Sequence, residues 1–216
     1  MIMKKILVSI MLCLPMLTMA QNNWETLESN SQKTTAQKAS KTSTKDYAYA
    51  RYCGEVVPVV DGQVMWEKDF TTNLTAEENY NQMLQFLTAM TQEENQFESS
   101  KISIVNKAEH KIVCHFEEWL VFTNKLLSLD RTRMIYTLTC DCYDNKVNVK
   151  IFRISYWYEE ERDGGFRYKA EEWITDENAV NKKRTRLLKI TGKFRRCTVD
   201  RMEEIFNNIN LRLQKR

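Results

Sequence analysis

The stretch RMIYTLTCDCYDNKVNVKIFRISYWY, residues 133–158, decides the fold of this chain. Over Met134–Cys142 apolar residues occupy every second position, which is the period of a β-strand with one buried face. The second half, Val147–Tyr158, is rich in β-branched and aromatic residues. Asp144-Asn145 lies between the halves, and these residue types favour the tight turn of a β-hairpin. The stretch therefore predicts two long antiparallel strands.

Shorter segments with strand character lie on both sides of this hairpin. They are Gly62–Thr72, Ile102–Val105, Lys111–Phe116, Trp119–Thr123 and, after the turn signal Asp163-Gly164-Gly165, Phe166–Tyr168. In the first of them Val64, Trp66 and Phe70 share one face, although Lys68 interrupts the alternation.

Three segments have helical character. Thr75–Met90 begins with a capping box of Thr75 and Glu78 and repeats apolar residues at helical spacing. Asp176 is a candidate cap for a short helix that runs through Asn181 or beyond. Thr198 is predicted to cap a final helix, whose apolar stripe is Met202, Ile205, Phe206, Ile209 and Leu213. The order of strand, helix, several strands and helix predicts an α+β fold, in which two main helices cover one face of an antiparallel sheet.

The N-terminal segment predicts export. Residues 1–20 combine Lys4 and Lys5, an apolar run and Thr18-Met19-Ala20, which is the layout of a secretory signal peptide. Leu12 precedes Cys13 where lipidation requires a small residue, so cleavage after Ala20 is favoured. Residues 21–46 are polar and predict a disordered linker. A single domain is expected over residues 47–216, in the periplasm, at the outer-membrane surface or secreted.

The charge and cysteine content narrow the function classes. Removal of residues 1–20 changes the formal net charge from +3 to +1, which gives no global field for nucleic acid. No second apolar run suggests a transmembrane segment in the mature chain. Five cysteines would remain, and an odd number cannot all pair within one chain. Buried thiols are the first interpretation, and one disulfide involving Cys53, Cys114 or Cys197 is the second. The Cys140-Asp141-Cys142 motif lacks the further ligands of a metal site, so neither metal nor cofactor is expected.

Several short stretches together resemble the domain of unknown function 4468 family, which consists of exported proteins of gut-type Gram-negative anaerobes. They are Ser128–Arg133, Tyr156-Trp157-Tyr158, Arg162–Gly165, Ala170–Asp176 and Gly192–Arg196. The resemblance extends from about Gly54 to Phe206. It implies a TBP-like fold, a curved antiparallel sheet backed by helices. No catalytic residue is carried over from the resemblance, and the name of the fold does not imply contact with nucleic acid, because function does not follow from fold.

Charged residues form two neighbouring groups. The basic run contains Lys182, Lys183, Arg184, Arg186, Lys189, Lys193, Arg195 and Arg196. The acidic stretch before it contains Glu159, Glu160, Glu161, Asp163, Glu171, Glu172 and Asp176. A solvated or mutually paired surface is the simplest interpretation. An anionic partner, such as an acidic polysaccharide or a lipid headgroup, is the alternative.

An aromatic group surrounds one predicted hairpin. Its members are Tyr156, Trp157, Tyr158, Phe166, Tyr168 and Trp173. Tyr156 and Tyr158 are expected on one side of their strand and Trp157 on the other. Packing in or near the core is the first interpretation, and stacking on a sugar or a peptide is the second.

No catalytic signature emerges, so the catalytic, cofactor-binding and metal residues are all predicted to be none. The carboxylate pairs Glu117-Glu118 and Glu171-Glu172 are sequence neighbours that point to opposite faces of a strand, and glycoside hydrolysis needs two carboxyls in one cleft. His110 is expected in an exposed turn, and His115 points away from Cys114. There is no Gly-rich phosphate loop, HExxH or GxSxG motif.

These observations predict an exported, non-enzymatic binding or interaction module of the periplasm or cell envelope. Its partner would be an envelope protein or a glycan, bound through the sheet face or the basic run. One alternative is a hydrolase assembled from distant residues, which a deep cleft with converging carboxylates would favour. A structural envelope protein that associates with itself is the other.

Overall fold

The computed structural model describes residues 49–125 and 128–214. The predicted signal peptide (residues 1–20) and linker (residues 21–46) lie outside the described residues. The strands are β1 (Val59–Val60), β2 (Gln63–Val64), β3 (Trp66–Thr71), β4 (Lys101–Asn106), β5 (Lys111–Lys125), β6 (Ser128–Tyr143), β7 (Lys146–Tyr158) and β8 (Phe166–Lys169). The helices are α1 (Ala76–Met90), α2 (Ala170–Trp173), α3 (Asp176–Ala179) and α4 (Thr191–Gln214).

Six of the strands form one antiparallel sheet. Its order is β3-β7-β6-β5-β4, and β8 pairs with the far end of β7. The hairpin predicted from residues 133–158 is its centre, with Tyr143 opposite Lys146 across the turn. β1 and β2 form a separate small hairpin. The two long helices, α1 and α4, pack against one face of the sheet, so the predicted α+β fold is confirmed.

The core lies between this face and the two helices. Met83 and Leu87 of α1 and Met202 and Ile209 of α4 are fully buried, as are Tyr136, Leu138 and Ile151 of the strands. The capping box of α1 is confirmed. The Glu78 amide donates to Thr75 Oγ1 at 3.3 Å, and the Thr75 amide donates to Glu78 Oε2 at 2.9 Å.

Two strand predictions are corrected. Lys111–Phe116 and Trp119–Thr123 belong to the single strand β5, because Glu117 and Glu118 continue the pairing with β6. Gly62–Thr72 is not one strand, because Gln63–Val64 pairs with β1 whereas Trp66–Thr71 pairs with β7.

The final helix begins two turns earlier than predicted. α4 starts at Thr191, and Thr198 lies inside it, where its hydroxyl is 2.8 Å from the Tyr156 hydroxyl. Gly192, an apparent helix breaker, is required there because a Cβ at this position would lie 2.6 Å from Leu187 Cβ. The prediction that Asp176 caps a short helix is wrong in detail, because Asp176 is the first residue of α3 and Thr175 is its N-cap. This helix ends at Ala179 and does not reach Asn181, and α2 was not predicted.

Candidate binding surface

Two tryptophans and two arginines alternate across the sheet face that lies opposite α1 and α4. Trp119 of β5 is paired with Arg133 of β6, Arg133 with Trp157 of β7, and Trp157 with Arg167 of β8. Directly paired residues project from the same face of a sheet. We call these four side chains the arginine–tryptophan row and the sheet face that carries them the open face.

A β-bulge places Trp157 in this row. The pairing of β6 with β7 shifts near Arg153, whose φ of 56° is left-handed. Val149 and Ile151 are buried before the bulge, whereas Ile154 and Tyr156 are buried after it. The extra residue therefore turns the odd-numbered Trp157 away from the core and onto the open face.

Stacked guanidinium groups hold the aromatic rings. The Arg131 guanidinium carbon lies 3.7 Å from the Trp119 ring centroid, and that of Arg167 lies 4.0 Å from the Trp157 centroid. The Arg133 guanidinium is 4.8 Å from Trp157 and 3.9 Å from Phe97. These distances are typical of cation–π contacts.

Arg133 is also held by two carboxylates. Its Nη1 is 2.7 Å from Glu117 Oε1, and its Nη2 is 2.6 Å from Glu160 Oε2. Burial opposes ionisation of Glu117, but the hydrogen bonds from Ser99 and Arg133 outweigh this effect and lower the pKa of Glu117. Burial likewise works against the charge of Arg133, and its bonds to Glu160 and Glu117 raise its pKa overall. The charge of Arg133 is therefore compensated by two carboxylates. Arg131 and Arg167, in contrast, form no ion pair among the described residues.

A groove of about 380 Å³ lies beside the row and gathers four carboxylates. It is lined by Trp119, Leu129, Asp130, Arg131, Trp157, Tyr158, Glu159, Glu160, Glu161 and Arg162. Three of the carboxylates already bond cations. Asp130 bonds Lys193 at 2.8 Å, Glu159 bonds Arg162 at 3.2 Å, and Glu160 bonds Arg133. Glu161 is the one groove carboxylate that forms no ion pair among the described residues, whereas a glycosidase needs two carboxyls that reach the substrate.

The other carboxylate candidates are separated. Glu117 lies on the open face, whereas Glu118 points to the helix side and bonds Arg201 at 2.8 Å. Glu171 and Glu172 lie on helix α2 and not on a strand, so the expectation of opposite strand faces is wrong for this pair. Glu171 accepts a hydrogen bond from the Val64 amide at 2.8 Å, and Glu172 is exposed.

The basic run and the acidic stretch meet only in part. Arg195 is fully buried, where its Nε donates to the Tyr52 carbonyl at 2.6 Å and its Nη2 bonds Asp176 at 2.6 Å. Arg184 lies 3.6 Å from Asp176. Lys193 bonds Asp130, which is outside the acidic stretch, and Arg196 lies 3.9 Å from Asp200. Lys182, Lys183, Arg186 and Lys189 are exposed and form no ion pair within residues 49–125 and 128–214.

The aromatic group divides between the two faces as predicted. Tyr156 is buried beneath α4, and Tyr158 contacts Phe194 of that helix with ring centroids 5.3 Å apart. The rings of Tyr168 and Trp173 stack with centroids 3.7 Å apart, and both contact Phe194 on the helix side of the sheet. Trp157 lies on the open face. The Tyr168–Trp173 contact is thus core packing, and Trp157 alone of these three joins the candidate surface.

The cysteines, histidines and helices add no further site. The five cysteines of the described part are free thiols, and Cys140 and Cys142 share a face with their sulfurs 3.6 Å apart. His110 lies at the β4–β5 turn, with its ring 5.9 Å from that of Tyr80. No group of three potential metal ligands occurs within the described ranges, and no helix described there has the length and apolar character to cross a membrane.

Sequence reasoning missed most of the arginine–tryptophan row. Trp119, Arg133 and Arg167 are far apart in the chain, and only the strand register brings them together. The buried Glu118–Arg201 pair was also missed, although Glu118 occupies a core position between Phe116 and Leu120 in the alternation of β5. A carboxylate at such a position signals an opposite charge nearby.

Comparisons with known proteins agree with this architecture. A family model described as "Domain of unknown function (DUF4468) with TBP-like fold" matches residues 67–157. The crystal structure of a DUF4468 family protein from Bacteroides ovatus ATCC 8483 is 34% identical, with a TM-score of 0.70 over 77% of this chain and 95% of that chain. A TBP-like protein from Parabacteroides distasonis ATCC 8503 shares the fold at 22% identity, with a TM-score of 0.61 over 74% of this chain and 99% of that chain. No curated protein matches the sequence. The chain therefore belongs to the DUF4468 family of domains of unknown function and has the TBP-like fold of that family.

Proposed function

We propose that the protein is exported to the cell envelope and acts there as a non-enzymatic binding module, which engages a protein partner through the open face of its sheet. The single observation that carries this proposal is the arginine–tryptophan row. Export is supported by the charged, apolar and small-residue layout of residues 1–20.

The composition of the row favours a protein partner. Tryptophan and arginine are the residues most enriched among those that dominate protein–protein binding energy. Cation–π stacking and the carboxylates around Arg133 fix these side chains before binding, which lowers the entropy cost of association. The exposed aliphatic residues Val121 and Leu129 lie beside the row, with Val121 paired to Arg131. They add apolar contact area next to two guanidinium groups that lack ion-pair partners in the described part.

A glycan fits this surface less well. Sugar recognition uses the faces of tryptophan rings, and each ring here has a guanidinium stacked on it, Arg131 on Trp119 and Arg167 on Trp157. A sugar ring would compete with these stacked groups, whereas a protein contacts the edges of the rings and the free N–H groups of the arginines together.

Photo-crosslinking in cells of the native host tests the proposal. A photoreactive phenylalanine analogue is placed at Val121 or Leu129 on the open face, or at Leu211, an equally exposed residue of α4, as the control. The expected result is one discrete protein adduct from the two open-face positions that is absent from the Leu211 position. The adduct should disappear when Arg131→Glu is added, because this change reverses a charge at the centre of the contact.

Four outcomes would contradict the proposal. One is the absence of any adduct from Val121 and Leu129, and another is an equal adduct from Leu211. The third is retention of the protein in the cytoplasm with residues 1–20 uncleaved. Binding of the purified protein to glycans, lost on Trp119→Ala, would assign the surface to carbohydrate instead.

A further inference from the structure

The loop of residues 181–190, which joins α3 to α4, has a fixed backbone. Asn181 Oδ1 accepts hydrogen bonds from the Thr185 amide at 2.8 Å and the Arg186 amide at 3.0 Å. The Leu188 amide donates to the Ala179 carbonyl at 2.8 Å, and Val180 pairs with Leu187. We call residues 181–190 the basic loop. Its two sides are joined by backbone contacts, so it presents its side chains in a defined arrangement.

The positive charge of the basic loop is largely uncompensated. Only Arg184, one of its five cations, lines the neighbouring cleft, whose carboxylates are Glu55, Glu171, Asp176 and Glu177. The other four, Lys182, Lys183, Arg186 and Lys189, are exposed and lack ion-pair partners in the part of the chain that the structure describes. Four such charges within eight residues would attract an anionic surface.

Two aliphatic side chains project beside these charges. Leu188 is 41% exposed and Ile190 is 60% exposed, and Lys189 lies between them. Their neighbour Leu187 packs against the core instead. A soluble polyanion would use the lysines and the arginine only, whereas a bilayer interface also takes up aliphatic groups next to a basic cluster.

We infer that the basic loop docks the protein on a bilayer surface rich in anionic phospholipid. The four unpaired cations contact the lipid phosphates, and Leu188 and Ile190 enter the interfacial layer. The surface is distinct from the arginine–tryptophan row, so membrane docking and partner binding are independent properties of the molecule.

Sedimentation with lipid vesicles tests the inference on residues 21–216, the chain that the proposed cleavage after Ala20 leaves. The protein is expected to sediment with phosphatidylglycerol–phosphatidylcholine vesicles and not with phosphatidylcholine alone. The variant K182A/K183A/R186A/K189A should bind roughly 600-fold more weakly, since each of the four cations near an anionic surface contributes about a factor of five. The charge-matched control K101A/K107A/K146A/K150A loses four positive charges elsewhere on the surface and should bind like the wild type. Three of its lysines, unlike the basic-loop cations, are ion-paired, with Glu77, Asp69 and Glu67. The variant L188S/I190S should lose most of the binding that persists at high salt.

Lysine acetylation footprinting locates the contact and separates it from any contribution of the N-terminal segment. Vesicles should protect Lys182, Lys183 and Lys189 and leave Lys101 and Lys107 reactive. Equal weakening by the matched control, or no protection of the basic loop, would overturn the inference. So would competition by soluble polyphosphate together with wild-type binding by L188S/I190S, because that result assigns the basic loop to a soluble anion.

Discussion

Arg201 of α4 and Glu118 of β5 form a two-bond ion pair on the buried side of the sheet. The distances are 3.0 Å from Nε to Oε1 and 2.8 Å from Nη2 to Oε2. Glu93 and Glu204 also accept hydrogen bonds from this guanidinium, at 2.8 and 2.9 Å. Burial disfavours the charge of Arg201, but the bonds to Glu118 outweigh it and raise the pKa of Arg201. The pair ties the last helix to the sheet.

Removal of one partner should destabilise the fold strongly. We expect Glu118→Ala to lower the free energy of unfolding by about 3–5 kcal/mol, because Glu118 is the buried counter-charge of this guanidinium, whereas Glu93 and Glu204 are partly exposed. Urea unfolding at neutral pH measures the change. Glu98→Ala, at an exposed position, is the control and should change it by less than about 0.5 kcal/mol.

The double variant E118L/R201M separates the desolvation cost from the value of the pair. Replacement of both charges by apolar groups of similar size should recover most of the loss. A double variant as unstable as Glu118→Ala would show that the network with Glu93 and Glu204 itself supports the packing.

The hydroxyl pair of Tyr156 and Thr198 gives a second prediction. Thr198→Val should cost about 1–3 kcal/mol of unfolding free energy, because it leaves the buried Tyr156 hydroxyl without its partner. The double variant Y156F/T198V removes both hydroxyls, so its unfolding free energy should lie closer to that of the wild type than that of Thr198→Val does. A double-mutant cycle by thermal unfolding measures the coupling, and an additive result would contradict the assigned hydrogen bond.

The same threonine shows what the sequence can and cannot predict. The pattern of Met202, Ile205 and Phe206 correctly predicted the buried face of α4, because amphipathic spacing is local information. The predicted start of this helix was wrong, because Thr198 is a residue type that often caps helices. Here its hydroxyl pairs with that of Tyr156, which is distant in the chain. Periodicity predicted the central hairpin and the α+β layers for the same local reason.

The candidate surface depends on long-range register in a similar way. Without the bulge at Arg153, the alternation of β7 would place Trp157 on the same face as Ile151, within the core. Trp119 and Arg133 meet only through the pairing of β5 with β6. No local pattern encodes a row that crosses four strands.

Glu117 should contribute to the acid sensitivity of the protein. Its pKa in the folded state is lowered, so its ionised form stabilises the fold above the ordinary value of 4.5, and this contribution is lost as the pH falls through the lower folded value. We expect Glu117→Gln to be less stable than the wild type at pH 7. As the pH falls below 5, the variant should lose less stability than the wild type does. Urea unfolding across this pH range measures both slopes.

The Ser99 hydroxyl provides a test of what lowers the pKa of Glu117. It donates a hydrogen bond to Glu117 Oε2, so Ser99→Ala should bring the pKa of Glu117 closer to the ordinary value without removing the carboxylate. Carboxyl-carbon NMR titration reports this pKa directly. Parallel stability curves for the wild type and Glu117→Gln would contradict the assigned role of the carboxylate.

The thiols should differ sharply in reactivity. Burial raises the pKa of Cys114 to about 12, and it also raises that of Cys197. The pKa of Cys140 is raised by its contact with Cys142 and by burial. Cys53 is the most accessible of the five, although partial burial raises its pKa as well. Because the thiolate is the reacting species, iodoacetamide at pH 8 should modify Cys53 first and the buried thiols only after unfolding.

Mass spectrometry of the native protein without reductant measures this order of alkylation. It also decides between the two interpretations of the sequence, five free thiols or one disulfide. The expected result is a single rapid alkylation, which Cys53→Ser abolishes while the other cysteines keep their slow rates. If Cys53 is unreactive and the chain is lighter by two hydrogens, Cys53 is oxidised to a disulfide. That result would require the segment around Cys53, which Arg195 fastens through the Tyr52 carbonyl, to rearrange toward its partner cysteine.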